Sequence, residues 1–177
     1  MGPTLAIAAV FLLGAIVFVA DTSWYAAFKT LHVVFAVIWV GGGLLFNVLG
    51  ARAERMGDPD EMLAVVRQAG AVSEKLFIPS SLIVLVFGIA MMFTGPGEFW
   101  EWSSFWILFA LAGFAATFLL GVAVITPQVK KLQGLMETAG PKAPETQAAI
   151  SRLFLIARAD AAILMLVVVD MTAKPFL

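Results

Sequence analysis

Five apolar runs dominate the sequence, at residues 4–20, 25–49, 76–93, 104–126 and 153–172. A helix needs roughly 20 mostly apolar residues to cross a hydrocarbon core of about 30 Å, and each run approaches or exceeds that length. The pattern predicts an all-α polytopic membrane helix bundle. It has five transmembrane helices, a four-helix core plus an N-terminal span, in a single integral-membrane domain over residues 1–177. Only 13% of the residues are charged, about half the share of roughly 25% in a soluble domain. A soluble globular domain, a disordered chain and a nucleic-acid binder with a basic surface are therefore excluded. The run at 4–20 lacks the positively charged start of a signal peptide and reads as a retained span.

Basic residues orient the spans. Arg52, Arg55, Arg67 and Lys75 lie between the second and third runs, and Lys130, Lys131, Lys142 and Arg152 between the fourth and fifth. The link at 95–103 has no Lys or Arg but carries Glu98 and Glu101. By the positive-inside rule both long loops are cytoplasmic. The N-terminus is then inside and the C-terminus outside. Trp24, Trp100, Trp102 and Trp106 fall near the outer boundary as an aromatic belt, whereas Trp39 lies deep in a span. Asp58-Pro59-Asp60-Glu61 reads as a helix cap, a proline in the first turn and an acidic start. That helix is expected to run on into the third span, kinked at Pro79. Pro141 and Pro144 break the chain before the last one.

Ionisable groups inside spans are costly and ask for partners. They are Lys29 and His32 in the second span, and Arg158, Asp160 and Asp170 in the fifth. Lys29 and His32, three residues apart, share a helix face, which continues through Ala36, Trp39, Gly43 and Phe46. Lys29 and Asp170 both lie near the outer boundary and are a candidate ion pair. The inner-half charges Arg158 and Asp160 are two residues apart and face different ways.

Gly41, Gly42 and Gly43 follow Trp39. They fit either the close approach of another helix or room for a flat cofactor. Gly113, Thr117 and Gly121 form a small-residue face, a candidate partner for them. With no cysteine and one histidine, thiolate sites and c-type haem attachment are excluded. A buried His32 is either a satisfied structural group or a ligand. As a ligand it would hold haem or copper. Met91, Met92 and Met171, at the same outer level, supply thioethers.

The stretch from Trp24 to His32, with Lys29-x-x-His32, and then Trp39-Val40-Gly41-Gly42 resembles the first core helix of a superfamily of small bacterial membrane proteins. That superfamily includes the b-haem-dependent protoporphyrinogen oxidases and the copper-resistance D membrane domains. The whole chain most resembles a related family of predicted integral-membrane proteins of unknown function, including its Met171-x-x-Lys174-Pro175 end. The resemblance implies a bacterial inner-membrane location and a b-type haem on His32, with Lys29, Trp39, Gly42 and Gly43 around it and a redox role. The oxidases also use a lysine in a later core helix. The third and fourth spans here have none in their interiors, so the resemblance extends to haem binding rather than to oxidase activity. Copper handling through His32, Met91, Met92 and Met171 is the alternative cofactor reading. A non-catalytic subunit of a membrane complex, with no cofactor, is the alternative function. The lipid bilayer is the expected partner, with a second copy or a membrane-complex subunit as further candidates.

Overall fold

A computed structural model describes residues 23–95 and 101–175, and every regular element among them is helical. Helix α1 runs from Trp24 to Met56. Ser23 caps it, its hydroxyl accepting from the Ala26 N–H at 3.3 Å. Gly57, in the left-handed region at φ 64, ends it. Its 33 residues span about 50 Å at 1.5 Å per residue, so its last turns project beyond a bilayer core.

Helix α2, Pro59–Val72, starts as the sequence predicts. Asp58 accepts from the Asp60 N–H at 2.9 Å, Pro59 opens the helix, and Asp60 and Glu61 lie at its positive end. It continues through a π-helical turn, Ser73–Phe77, into α3, Ile78–Thr94. The same construction joins α4, Phe105–Leu119, through a π turn at Leu120–Ile125 to α5, Thr126–Thr138. A proline follows each π turn closely, Pro79 and Pro127. Proline has no N–H, and its ring clashes with the carbonyl four residues back. Those carbonyls belong to Lys75 and Ala123, both inside the π turns. Widening the helix there moves the carbonyl aside without ending the helix. Thr126 donates its hydroxyl to the Gly121 carbonyl within the second turn. Helix α6, Pro144–Ala173, follows the turn at Gly140, to whose carbonyl Thr146 donates at 2.9 Å.

Among the described residues three stretches are long and apolar enough to cross a membrane: Trp24–Met56, Pro59–Thr94 and Phe105–Thr138. Helix α6 is 30 residues long but is set apart by Arg158, Asp160 and Asp170. The run at 4–20 lies outside the described residues.

Helix α3 packs antiparallel on α1. Phe77 sits against Gly42, His32 against Gly88, and the Phe28 and Phe87 rings are 5.6 Å apart. Helix α6 is also antiparallel to α1, with Gly50 against Phe154 and the Asn47 amide donating to the Ala157 carbonyl at 3.4 Å. Gly113 of α4 faces Val167 of α6. Of the small-residue face of α4, Gly113 meets α6 while Thr117 and Gly121 line a cavity, rather than the face pairing with Gly41–Gly43 as expected. Val167 fills the space left by the missing Cβ of Gly113, while α1 reaches α4 through the edge of Trp39 on Phe114 at 5.8 Å. At the loop end of the bundle, α2, α5 and the start of α6 form a cap. Its core includes Met62, Val66, Leu132, Ile150 and Phe154.

Candidate functional site

His32 faces α3. Its Nδ1 lies 2.8 Å from the Val84 carbonyl. A carbonyl only accepts, so Nδ1 carries the proton and donates. The ring is thereby held as the neutral tautomer with its lone pair on Nε2, for which no hydrogen-bond partner occurs among the described residues. The absent Cβ of Gly88 makes this approach available, since an added one would stand 3.1 Å from the imidazole. Met91, one turn from Gly88 on the same face of α3, is buried. Met92 and Met171 are half-buried. Among the described residues no three His, Cys, Asp or Glu side chains converge as a metal site.

Lys29 and Asp170 do not form an ion pair. Lys29 is exposed, its Nζ 6.0 Å from the centre of the Tyr25 ring. Asp170 is buried, and neither carboxylate oxygen has a hydrogen-bond partner. The contacts of Asn47 with Ala157 and of Gly50 with Phe154 fix the register of α1 on α6. Continued up the bundle, that register puts Asp170 opposite residues near 34, more than a turn below Lys29. Lys174 stands at the level of Lys29 instead. Burial first, and then the nearby Lys29 charge, hold the Lys174 amine below the ordinary lysine range.

A cavity of about 240 Å³ lies nearer the capped end, between α1 and α6 and flanked by both π turns. Trp39 and Gly43 line it, while His32, Lys29, Gly42 and the three methionines do not. The structure thus divides the residues that the sequence groups around a cofactor. Phe77, Phe118 and Phe154 supply aromatic walls. Asp160 reaches the cavity, and its Oδ1 is buried without a hydrogen-bond partner. Arg158, two residues away, pairs with Glu54 of α1. Arg158 lines the same cavity as Asp160, so the two inner-half charges of α6 share this space while Arg158 takes Glu54 as its partner.

The glycines divide in the same manner. A Cβ on Gly42 would stand 2.5 Å from the Phe77 ring, and one on Gly50 3.2 Å from Phe154. These are packing glycines. A Cβ on Gly43 or Gly121 would meet nothing within 4 Å, and both residues line the cavity. Close packing and open space, the two meanings a glycine cluster carries, thus fall on adjacent residues. Asn47, Ser81 and Thr117 also line the cavity and are absent from an inventory restricted to ionisable groups. Their signal in the sequence is a polar side chain inside an apolar run.

No curated protein and no solved structure matches the chain. A family model described as a predicted integral membrane protein, DUF2269, matches residues 26–175. The matched segment extends from the start of α1 to just past the end of α6, and so takes in both the His32 contact and the cavity. The chain belongs to this family of predicted integral membrane proteins.

Proposed function

We propose that the chain is a five-span protein of the bacterial inner membrane that holds a b-type haem on His32. The N-terminus is cytoplasmic and the C-terminus external. The observation that carries the cofactor reading is the Nδ1–H bond to the Val84 carbonyl. Ligating histidines commonly donate their other ring N–H in this way, which fixes the tautomer and the ring orientation. The donor present therefore fits an axial ligand. Bound there, a b-type haem supplies one-electron chemistry. In this reading His32 would hold the iron through Nε2, and Gly88 leaves room for the imidazole against α3. Lys29, exposed at the same end, meets a propionate. Met91, buried one turn from Gly88 on the same face of α3, would be the thioether available as a further ligand. The resemblance of Lys29-x-x-His32 and Trp39-x-Gly41-Gly42 to the oxidase helix supports the same assignment.

The test is the haem-to-protein ratio after reconstitution, read from the Soret band and a reduced-minus-oxidised spectrum. Wild type should take up haem and His32→Ala should lose it with helical content unchanged. Equal uptake by the two removes His32 as the ligand. A wild type that never takes up haem ends the cofactor reading. The orientation is tested separately with reporter fusions. Those after Gly57 and Lys142 should report cytoplasm and one after Gly97 the outside, from the eight-to-none division of Lys and Arg between the loops. A cytoplasmic signal after Gly97 would invert the arrangement.

A further inference from the structure

We infer that the cavity between the two π turns is a binding site for a small lipophilic amine. Its ammonium group sits at Asp160 and its apolar body lies between Trp39, Phe77 and Phe118. This site is separate from His32, which does not line the cavity. Asp160 Oδ1 is buried and unpartnered. The cation nearest to it in sequence, Arg158, lines the same cavity but is engaged with Glu54. A carboxylate inside a span is stable only beside a cation or a hydrogen-bond donor. Among the buried unpartnered polar atoms of the described residues, Asp160 Oδ1 is the one whose residue lines this cavity. The missing partner is therefore a donor, and against a carboxylate the strongest donor is a charged one.

The walls define the rest of the ligand. The Trp39 ring is held edge-on by Phe114 at 5.8 Å, and Phe77 is set against Phe46 at 6.1 Å, so two walls are fixed by neighbouring rings. Aromatic faces attract ammonium groups and pack well against apolar bodies. Side chains that could donate to Asp160 in place of a ligand are committed elsewhere. Ser81 donates to the Ile78 carbonyl and Thr117 to the Phe114 carbonyl, each within its own helix. Asn47 likewise spends its amide hydrogens on the Gly43 and Ala157 carbonyls. Asp160 is thus the carboxylate in the chamber whose buried oxygen lacks a partner. Glu74, Lys130, Gln133 and Arg158 also line the cavity but are exposed.

Two further features mark a space that is kept open. Gly43 and Gly121 stand on different helical segments, line the same cavity, and have nothing within 4 Å of where a Cβ would be. Both flanks are π turns, which recur at functional sites. The volume of about 240 Å³ lies just below the range of roughly 300–1,000 Å³ for drug-sized ligands, which limits the occupant to a small molecule.

The probe is 4-phenylbutylamine, with 4-phenylbutanol as its uncharged analogue. Binding to the full chain in lipid nanodiscs is measured by calorimetry, and empty nanodiscs give the partitioning background. Wild type should bind the amine saturably, at one site, at least tenfold more tightly than the alcohol. Asp160→Asn should weaken the amine tenfold or more and leave the alcohol unchanged. Gly121→Leu should abolish both by filling the chamber. Should that variant fail to fold, Gly43→Val fills the same space from α1. Amine uptake no greater than in empty nanodiscs overturns the site. Equal binding of amine and alcohol, or an Asp160→Asn variant that binds the amine as wild type does, overturns the cationic class.

Discussion

The capped end and the membrane-embedded shaft of the bundle use different means to hold helices together. At the cap, α2, α5 and the start of α6 bury Leu132 and Ile150 almost completely, and their connections are tied by Asp58, Thr146 and Gln147. This is the construction of a soluble domain, driven by removing apolar surface from water. Along the shaft large apolar side chains face outward, including Val37 on α1, Val86 on α3 and Val169 on α6. Lipid is as apolar as those side chains, so burying them between helices gains little. Close approach and interhelical hydrogen bonds take over. The packing glycines Gly42 and Gly113 and the bonds of His32 and Asn47 are shaft features, while Gly50 packs on Phe154 of the cap. The comparison teaches that an apolar residue carries stability at one end of this molecule and solvation at the other.

The sharpest way to break that comparison is a pair of apolar truncations. Ile150→Ala, in the cap, should cost about 2–4 kcal/mol from the lost transfer energy and the cavity left behind. Val169→Ala, on the outward face of α6, should stay within about 0.5 kcal/mol. Thermal unfolding followed by helical signal in one detergent measures both. Comparable losses would show that Val169 is covered by protein, and the two-solvent account would fail.

A smaller effect separates two adjacent shaft glycines. Gly42→Ala places a methyl group 2.5 Å from the Phe77 ring and should cost about 1–3 kcal/mol through overpacking. Gly43→Ala meets nothing within 4 Å and should be neutral, or gain up to about 1 kcal/mol from the better helix former. The same melts check this, and identical shifts in the two variants would contradict the division of the glycines.

The sequence makes some of this legible and hides the rest for identifiable reasons. The apolar runs at 25–49, 76–93 and 104–126 and the Asp58 cap follow from local chemistry, and the structure has α1, α3, α4 and the start of α2 at those places. The run at 153–172 becomes part of α6, but its three charges keep it apart from the other three in apolar character. Pro79 signals a kink, yet whether a proline ends a helix or widens it into a π turn depends on where the displaced carbonyl finds room, which neighbouring helices decide. The same holds at Pro127. The Lys29–Asp170 expectation rests on depth alone. Pairing also needs helix register and face, and these are set by Gly50, Asn47 and Phe154 many turns away. Of the candidate site, His32 is legible because it is the single imidazole. The cavity is not, because Gly42 and Gly43 are the same residue in sequence and opposite in role.

The smallest predicted effect concerns the end of the shaft that faces away from the cap. Lys174 is depressed below the ordinary lysine pKa, first by burial and then by the charge of Lys29. The folded protein therefore releases this proton at a lower pH than the unfolded chain. Between the lowered value and the ordinary 10.5 the unfolded state binds more protons, so stability rises with pH across that window. Below the window the full penalty of holding the charged amine applies. Lys29→Met removes the second cause and should raise the Lys174 midpoint toward 10.5, while leaving the first cause in place. Lysines labelled by reductive methylation with carbon-13 and followed by NMR report this midpoint directly, with Lys174→Arg assigning the signal. In wild type the Lys174 signal should titrate below the ordinary 10.5, and the Lys29→Met variant should narrow the gap without closing it. A midpoint that does not move would mean that the two amines are too far apart to interact. The register carried up from Asn47 and Gly50 would then not extend to the Trp24 end of the bundle.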